Sequence, residues 1–309
     1  MEYIKGRLDF HVTEPTVLSI GKFDGLHRGH ELLMDYVFQK KKEGLKAVIF
    51  TFDTPPKKSV EKSDVPVLTT SEEKMHLFEQ IGIDYLIECP FTDEVMHMPA
   101  EDFLKMIVEQ LSIRCIVAGT DCSFGYQRRG DYKMLREYAP IYHYEAQIVN
   151  KMQYKGRDIS STFIREEIAA GNMEKADLLL GYPYFVQGTI VHGNQIGRKI
   201  GIPTINLLPS EEKLLPPFGV YVVRAEIEGK EYKGVANVGC KPTISGENPV
   251  GVETHLLDFK GDLYDKHAKV SLLKRVRGEK KFQNISELKE QMEKDILFSR
   301  SYFKIHDGK

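Results

Sequence analysis

The 309-residue sequence has few cysteines, and they are not arranged for bonding. Cys89, Cys115, Cys122 and Cys240 are scattered, and no two form a CxxC pair. Such thiols fit a reducing compartment and argue against a disulfide framework or a cysteine-built zinc site. No apolar stretch approaches the roughly 18 residues of a membrane span. The opening MEYIKGRLDFHV lacks the apolar core of a secretory leader. An excess of one charge is missing too. Forty-three Lys and Arg stand against 45 Asp and Glu, for a net charge of −2. That balance gives no electrostatic reason to expect a nucleic-acid or membrane partner. No GxxxxGK[ST] phosphate loop occurs. The expected compartment is the cytoplasm.

What is there is ordinary globular composition, 41% hydrophobic and 28% charged, over a length that suits two domains. The first half alternates apolar runs (residues 16–21, 47–52, 84–89 and 115–119) with amphipathic ones such as HELLMDYVFQKKK. Strand and helix in alternation predict a parallel, Rossmann-like α/β sheet, with ligand binding beyond the carboxyl ends of its strands. Near residue 183 the pattern changes. YFVQGTIVHG, GVYVVRAEIEGKEYKGVANVG, GVETHLLDF and HAKVSLLKRV alternate like strands, and helical spacing returns only over 286–303. This predicts a small antiparallel β-barrel with a C-terminal helix. The expected domains are therefore 1–182 and 183–309.

The first stretch with chemistry is SIGKFDGLHRGHELL, at the predicted passage from the first strand into a helix. A helix start presents unpaired N–H groups and partial positive charge, which suits phosphate. Gly21, Gly25 and Gly29 let a nucleotide approach the backbone closely, with Phe23 in the same turn. His27 and His30 can donate to phosphate oxygens and stabilise the charge that builds up during adenylyl transfer. Two histidines three apart also arise by chance, and no further ligands with zinc spacing lie nearby. In SSTFIR, Ser161 and Thr162 read as a helix cap or a second phosphate site, with Arg165 as a cationic clamp. Asp121, in GTDCSFG, follows another predicted strand and could line the same crevice or a solvated loop.

The second half carries a denser set. GNQIGRKIGIPTIN places Gly193, Gly197 and Gly201 at four-residue spacing, with Arg198 among them and Thr204 and Asn206 two apart. On an extended segment the last two point the same way. Their oxygens suit Mg²⁺, although a glycine-rich hairpin with a buried polar pair reads equally well. Glu253 interrupts an apolar strand-like run, where a carboxylate is costly unless paired or used, so it is a candidate general base.

The motifs GKFDGLHRGH, SSTFIR, GRKIGIPTIN, FGVYVV, ANVGCKPT, VETHLLDF and KFQNISELKEQMEKDI together resemble the prokaryotic bifunctional riboflavin kinase/FAD synthetase family over nearly the whole chain. That resemblance implies an adenylyltransferase that makes FAD and pyrophosphate from FMN and ATP, with His27 and His30 on the ATP phosphates. It also implies a six-stranded barrel that phosphorylates riboflavin with ATP, giving FMN and ADP. There Thr204 and Asn206 would hold Mg²⁺ and phosphate, and Glu253 would activate the ribityl hydroxyl.

Three departures from the family pattern fall in the first half: Pro55 where a histidine is usual, Phe163 where an arginine is usual, and Cys122 in GTDCSFG. They lead to the expectation that FAD synthesis is weakened or conditional on flavin redox state. Two alternatives stand beside the bifunctional enzyme. One is a riboflavin kinase with a largely inactive first half. The other is a non-enzymatic flavin-responsive regulator, which retention of Thr204, Asn206 and Glu253 argues against.

Overall fold

The computed structural model describes residues 1–53, 65–193, 196–240 and 250–307. Their contacts divide the chain into two compact units, Met1–Ser161 and Thr162–Lys309. Pro55 lies outside the described residues.

In the first unit the elements run β1 (Glu2–Lys5), β2 (Thr16–Ile20), α1 (Glu31–Lys42), β3 (Lys46–Phe52), α2 (Ser71–Ile81), β4 (Tyr85–Cys89), α3 (Asp93–His97) and α4 (Ala100–Leu111). They continue through β5 (Ile113–Gly119), the ribbon β6 (Ser123–Phe124) and β7 (Gly130–Asp131), α5 (Tyr132–Tyr142), β8 (Glu145–Val149), and the ribbon β9 (Gln153–Tyr154) and β10 (Arg157–Asp158). Six strands form one parallel sheet in the order β1-β4-β3-β2-β5-β8. The apolar runs are continuous because both faces are covered. Leu18 and Phe50 pack on one side with Phe103, Leu104 and Ile107 of α4. Val17 and Ile49 pack on the other with Leu33, Met34 and Val37 of α1. Thr70 and Glu73 close a reciprocal capping box at the start of α2.

The edge strands β1 and β8 were not apparent as apolar runs. Each is short and only partly buried, so neither needs a continuous hydrophobic stretch. Helix α5 carries Pro140 inside it, which reads in sequence as a stop.

The second unit takes in α6 from Thr162 onward (the helix spans Ser161–Ala169), α7 (Met173–Leu180), β11 (Phe185–Thr189), α8 (Ile196–Lys199), β12 (Ile205–Leu207), β13 (Gly219–Ile227), β14 (Lys230–Cys240), β15 (Val250–Leu256), β16 (His267–Gly278) and α9 (Ile285–His306). Its six strands form an antiparallel sheet ordered β11-β16-β13-β14-β15-β12. Its two ends meet at an isolated bridge between Val191 and Asn206, where Val191 N donates to Asn206 O at 2.9 Å. The result is the expected barrel, nearly closed. Helix α9 docks through Ser299, whose hydroxyl donates to Gly234 O, and through Phe303, buried with Val222, Leu257 and Leu273.

The division at Ser161/Thr162 differs from the 182/183 junction expected from sequence. Helix α7 accounts for the difference. Its Glu174 pairs with Lys274 of β16, and Gly171 before it lies against the Arg275 side chain. The Asp177 carboxylate accepts from Tyr184 N at 2.8 Å. The turn signal at 181–183 is a bend within this unit.

Candidate active sites

In the first unit, β2 sits between β3 and β5, and the chain leaves it in one direction and returns on its other side. This is the switch point of a doubly wound sheet, where the carboxyl ends of two neighbouring strands open a crevice. The loop after β2 carries residues 21–30, and the loop after β5 carries Asp121. Asp121 pairs with Lys151 at 3.1 Å.

His27 and His30 lie in a short 3-10 turn just ahead of α1 rather than in its first turn. Their rings stack, with centroids 3.9 Å apart and planes 16° apart. Gly29 makes this possible. A Cβ there would stand 2.8 Å from the His27 ring and 2.8 Å from Ile159 O. Burial, and then the neighbouring His27, hold His30 well below the usual imidazole range, so it is neutral at physiological pH. Its Nδ1 is buried without a hydrogen-bond partner. Phe23 was expected to contact nucleotide. Instead it is fully buried, 5.0 Å from the His30 ring and 5.6 Å from Phe78, and it backs the histidine pair. Its φ of 45°, with Gly25 at 89° and Leu26 at 32°, makes the turn a strained one.

Asp24, not singled out in the sequence, clasps this turn. Its Oδ1 accepts from Leu68 N at 2.8 Å and Thr69 N at 3.0 Å. Its carbonyl accepts from the Ser161 hydroxyl at 2.8 Å, and Gly25 N donates to Thr69 Oγ1 at 3.1 Å. The Asp-Gly pair was the available signal, since Asp in a turn commonly accepts from backbone N–H groups. Ser161 thus binds the clasp, and Gly21, Gly25, His27, Gly29, His30 and Ser161 come together. Thr162 and Arg165 fall in the second unit, the first exposed and the second half-buried on α6. Phe163 is buried there, with Lys175 Nζ 4.9 Å from its ring centroid. Burial pushes the Cys122 thiol up to about 12, so this departure fills space and is not a reactive thiol.

In the second unit, Asn206 on β12 faces Glu253 on β15, and Glu253 faces Asn237 on β14. Directly paired residues project from the same face of a sheet, so the three polar side chains form one row across three strands. Asn206 is buried, and the backbone of Gly193 presses on it: a Cβ there would come within 2.6 Å of the amide nitrogen. Thr204 lies just before β12, one step along the same face as Asn206. Its loop is pinned by His255, two residues beyond Glu253, whose Nδ1 is 2.8 Å from Pro203 O. Gly197 approaches Ile202 O too closely for a side chain, and Gly201 has φ 83°. These two glycines let the chain turn tightly just ahead of Thr204 and β12. Arg198 is exposed on α8. Asn237 was missed in the sequence because nothing local distinguishes it; only register places it beside Glu253.

The chain matches the FAD synthetase family model over residues 9–163 and the riboflavin kinase model over residues 180–303. It is 33% identical over 308 residues to the bifunctional riboflavin kinase/FMN adenylyltransferase of Bacillus subtilis, covering 95% of this chain and 97% of that protein. The chain belongs to the bifunctional riboflavin kinase/FMN adenylyltransferase family. The family's Escherichia coli K12 member is 35% identical over 294 residues, covering 94% of this chain and 93% of that protein. A crystal structure from Streptococcus pneumoniae, described as a macrolide-efflux protein, superposes with a TM-score of 0.85 at 31% identity, over 96% of this chain and 98% of that one. Among the described residues of this family member, no helix is long and apolar enough to cross a membrane.

Proposed function

We propose that the second unit transfers the γ-phosphoryl group of ATP to riboflavin, giving FMN and ADP, and that the first unit joins FMN to the adenylyl group of another ATP, giving FAD and pyrophosphate. The observation that carries the kinase reading is the register of Glu253 with Asn206, against which Gly193 packs. In that reading Glu253 takes the proton of the terminal ribityl hydroxyl. The hydroxyl oxygen then bonds to the γ-phosphorus as the bond to the bridging oxygen of ADP breaks. Thr204 and Asn206 offer neutral hard oxygens, and Glu253 is the nearby carboxylate. This donor set suits Mg²⁺ shared with phosphate. Among the described residues no group of three or more His, Cys, Asp or Glu could hold a metal by itself. When bound, the ion would supply charge neutralisation on the transferring phosphate.

In the first unit, the FMN phosphate oxygen attacks the α-phosphorus and pyrophosphate leaves. His27 and His30, stacked with His30 neutral, are suited to donate to the charge that develops there. Adenylylation is proposed as the weaker activity or as conditional on flavin redox state, because Phe163, buried here, stands where the family resemblance implies an arginine. The proposed setting is the cytoplasm, where ATP is available and thiols stay reduced. The test is to incubate the protein with riboflavin, ATP and Mg²⁺, separate FMN from FAD by chromatography, and repeat from FMN with oxidised and reduced flavin. FMN should appear first, and FAD more slowly. Absence of FMN would overturn the kinase reading. FAD forming from oxidised FMN as fast as FMN forms from riboflavin would overturn the ranking.

A further inference from the structure

We propose that Asn237 binds the hydroxyl next to the reacting one on the acceptor polyol, and so sets the acceptor specificity of the kinase. This rests on reading Glu253 as the base. Glu253 occupies the middle of a three-residue row, with Asn206 on one flank and Asn237 on the other. On the Asn206 flank the backbone of Gly193 lies against the amide, the side suited to phosphate. Displacement in line at phosphorus puts the acceptor opposite the leaving group, so the polyol runs from Glu253 toward Asn237. Directly paired cross-strand residues stand about 5 Å apart at Cβ. That spacing lets one side chain take the terminal hydroxyl while its neighbour takes the adjacent one.

The chemistry at that flank fits a polyol. Asn237 offers both a carbonyl acceptor and an NH₂ donor, and a hydroxyl also donates and accepts. It is half-buried, so an unmatched partner there is costly. Its amide nitrogen leans toward Gly239, standing 3.2 Å from where a Cβ on that residue would be, and the Glu279 carboxylate approaches the same point. The missing side chain at Gly239 lets the Glu279 carboxylate reach in beside Asn237, so this flank of the row is polar.

The experiment is a cycle of two substrates and two proteins. Riboflavin and 4′-deoxyriboflavin, which lacks the hydroxyl adjacent to the reacting one, are phosphorylated by the wild type and by Asn237→Ala. Asn237→Ala should lower kcat/KM for riboflavin by roughly tenfold to a hundredfold, the size of one hydrogen bond left unmade. It should change kcat/KM for the deoxy substrate by about threefold or less and leave the KM for ATP unchanged. An equal fall on both substrates would make Asn237 a structural prop, and no fall on either would remove it from the site; each overturns the proposal. Asn237→Ser, which retains a small polar group, is run beside it as a second variant. The wild-type preference for riboflavin over the deoxy substrate is a check that needs no variant to fold, and its absence also overturns the proposal. Glu253→Gln run in parallel separates the two readings. Normal turnover in that variant defeats the base assignment, whereas a dead Glu253→Gln with an equal fall in Asn237→Ala defeats only the role of Asn237.

Discussion

The imidazoles of His27 and His30 lie face to face, 3.9 Å between centroids, and Gly29 is the residue that lets them do so. Removing one pre-positioned donor typically costs about 10²–10³ in rate. His30→Ala should therefore lower FAD formation from FMN by about that factor and spare riboflavin phosphorylation. The two steps assayed separately check this, and an unchanged FAD rate would dismiss the histidine pair. The pH behaviour carries a sign as well. Because the His30 pKa is depressed in the protein, His30 of the free enzyme takes up a proton only on the acid side of an ordinary histidine. The phosphates of ATP draw that pKa upward, so proton uptake should accompany ATP binding in mildly acidic buffer, measurable by calorimetry in buffers of different ionisation heat.

Gly29→Ala tests the same pair without touching either ring. The added methyl would meet the His27 ring and Ile159 O at 2.8 Å, closer than real Cβ contacts. The stack must open or the backbone must shift. FAD formation should fall as far as in His30→Ala, with a melting temperature lowered by a few degrees for a loss of about 1–3 kcal/mol. A variant with full adenylylation would mean that the stack does not matter.

Losing a positioned general base typically costs about 10²–10⁴ in rate. Glu253→Gln should therefore nearly abolish FMN formation while ATP still binds, as followed by equilibrium titration. Starting from FMN, the same variant should make FAD at the wild-type rate.

Thr204→Ala and Asn206→Ala should each lower the kinase rate and raise the Mg²⁺ concentration needed for half-maximal activity. Rates measured across a Mg²⁺ series decide it. An unchanged Mg²⁺ dependence would return the pair to a purely structural part in the glycine hairpin.

Asp177 gives a prediction about stability alone. Burial, and then the charge of Glu174, raise its carboxyl to about 8, against the lowering effect of the Tyr184 N–H. A carboxyl raised in the folded state favours folding while protonated. Its contribution is complete below about pH 4 and is lost as pH rises through about 8. Asp177→Asn keeps an acceptor for Tyr184 and cannot ionise. It should melt near the wild type at pH 4–5 and above it at pH 8–9; equal melting curves at both ends would contradict the shift.

Both architectures were legible in the sequence wherever burial imposed a pattern. The central strands of the parallel sheet are covered on both faces and must be apolar throughout, whereas β1 and β8 at its edges are not and went unseen. His27, His30, Thr204, Asn206 and Glu253 stood out because each is a local oddity. Asn237 and Asp24 did not, since what marks them is a partner in register across β15 or a loop more than forty residues away. The turn at Gly181 and Pro183, where sequence places the junction, lies beside the start of the riboflavin kinase match at residue 180, while contacts alone group α6 and α7 with the barrel strands.

The bridge between Val191 and Asn206 has a dynamic consequence. Among the described residues the neighbouring barrel strands are joined by ladders of several residues, whereas Val191, two residues beyond β11, meets β12 at this one bridge. Local opening begins where the fewest bonds must break together, so the Val191 amide should exchange with solvent hydrogen faster than those inside the β13–β14 ladder. The side chain of Asn206 faces the row proposed to hold phosphate while its backbone carbonyl receives that amide. Slower exchange at Val191 would then report an occupied site directly, with no turnover required.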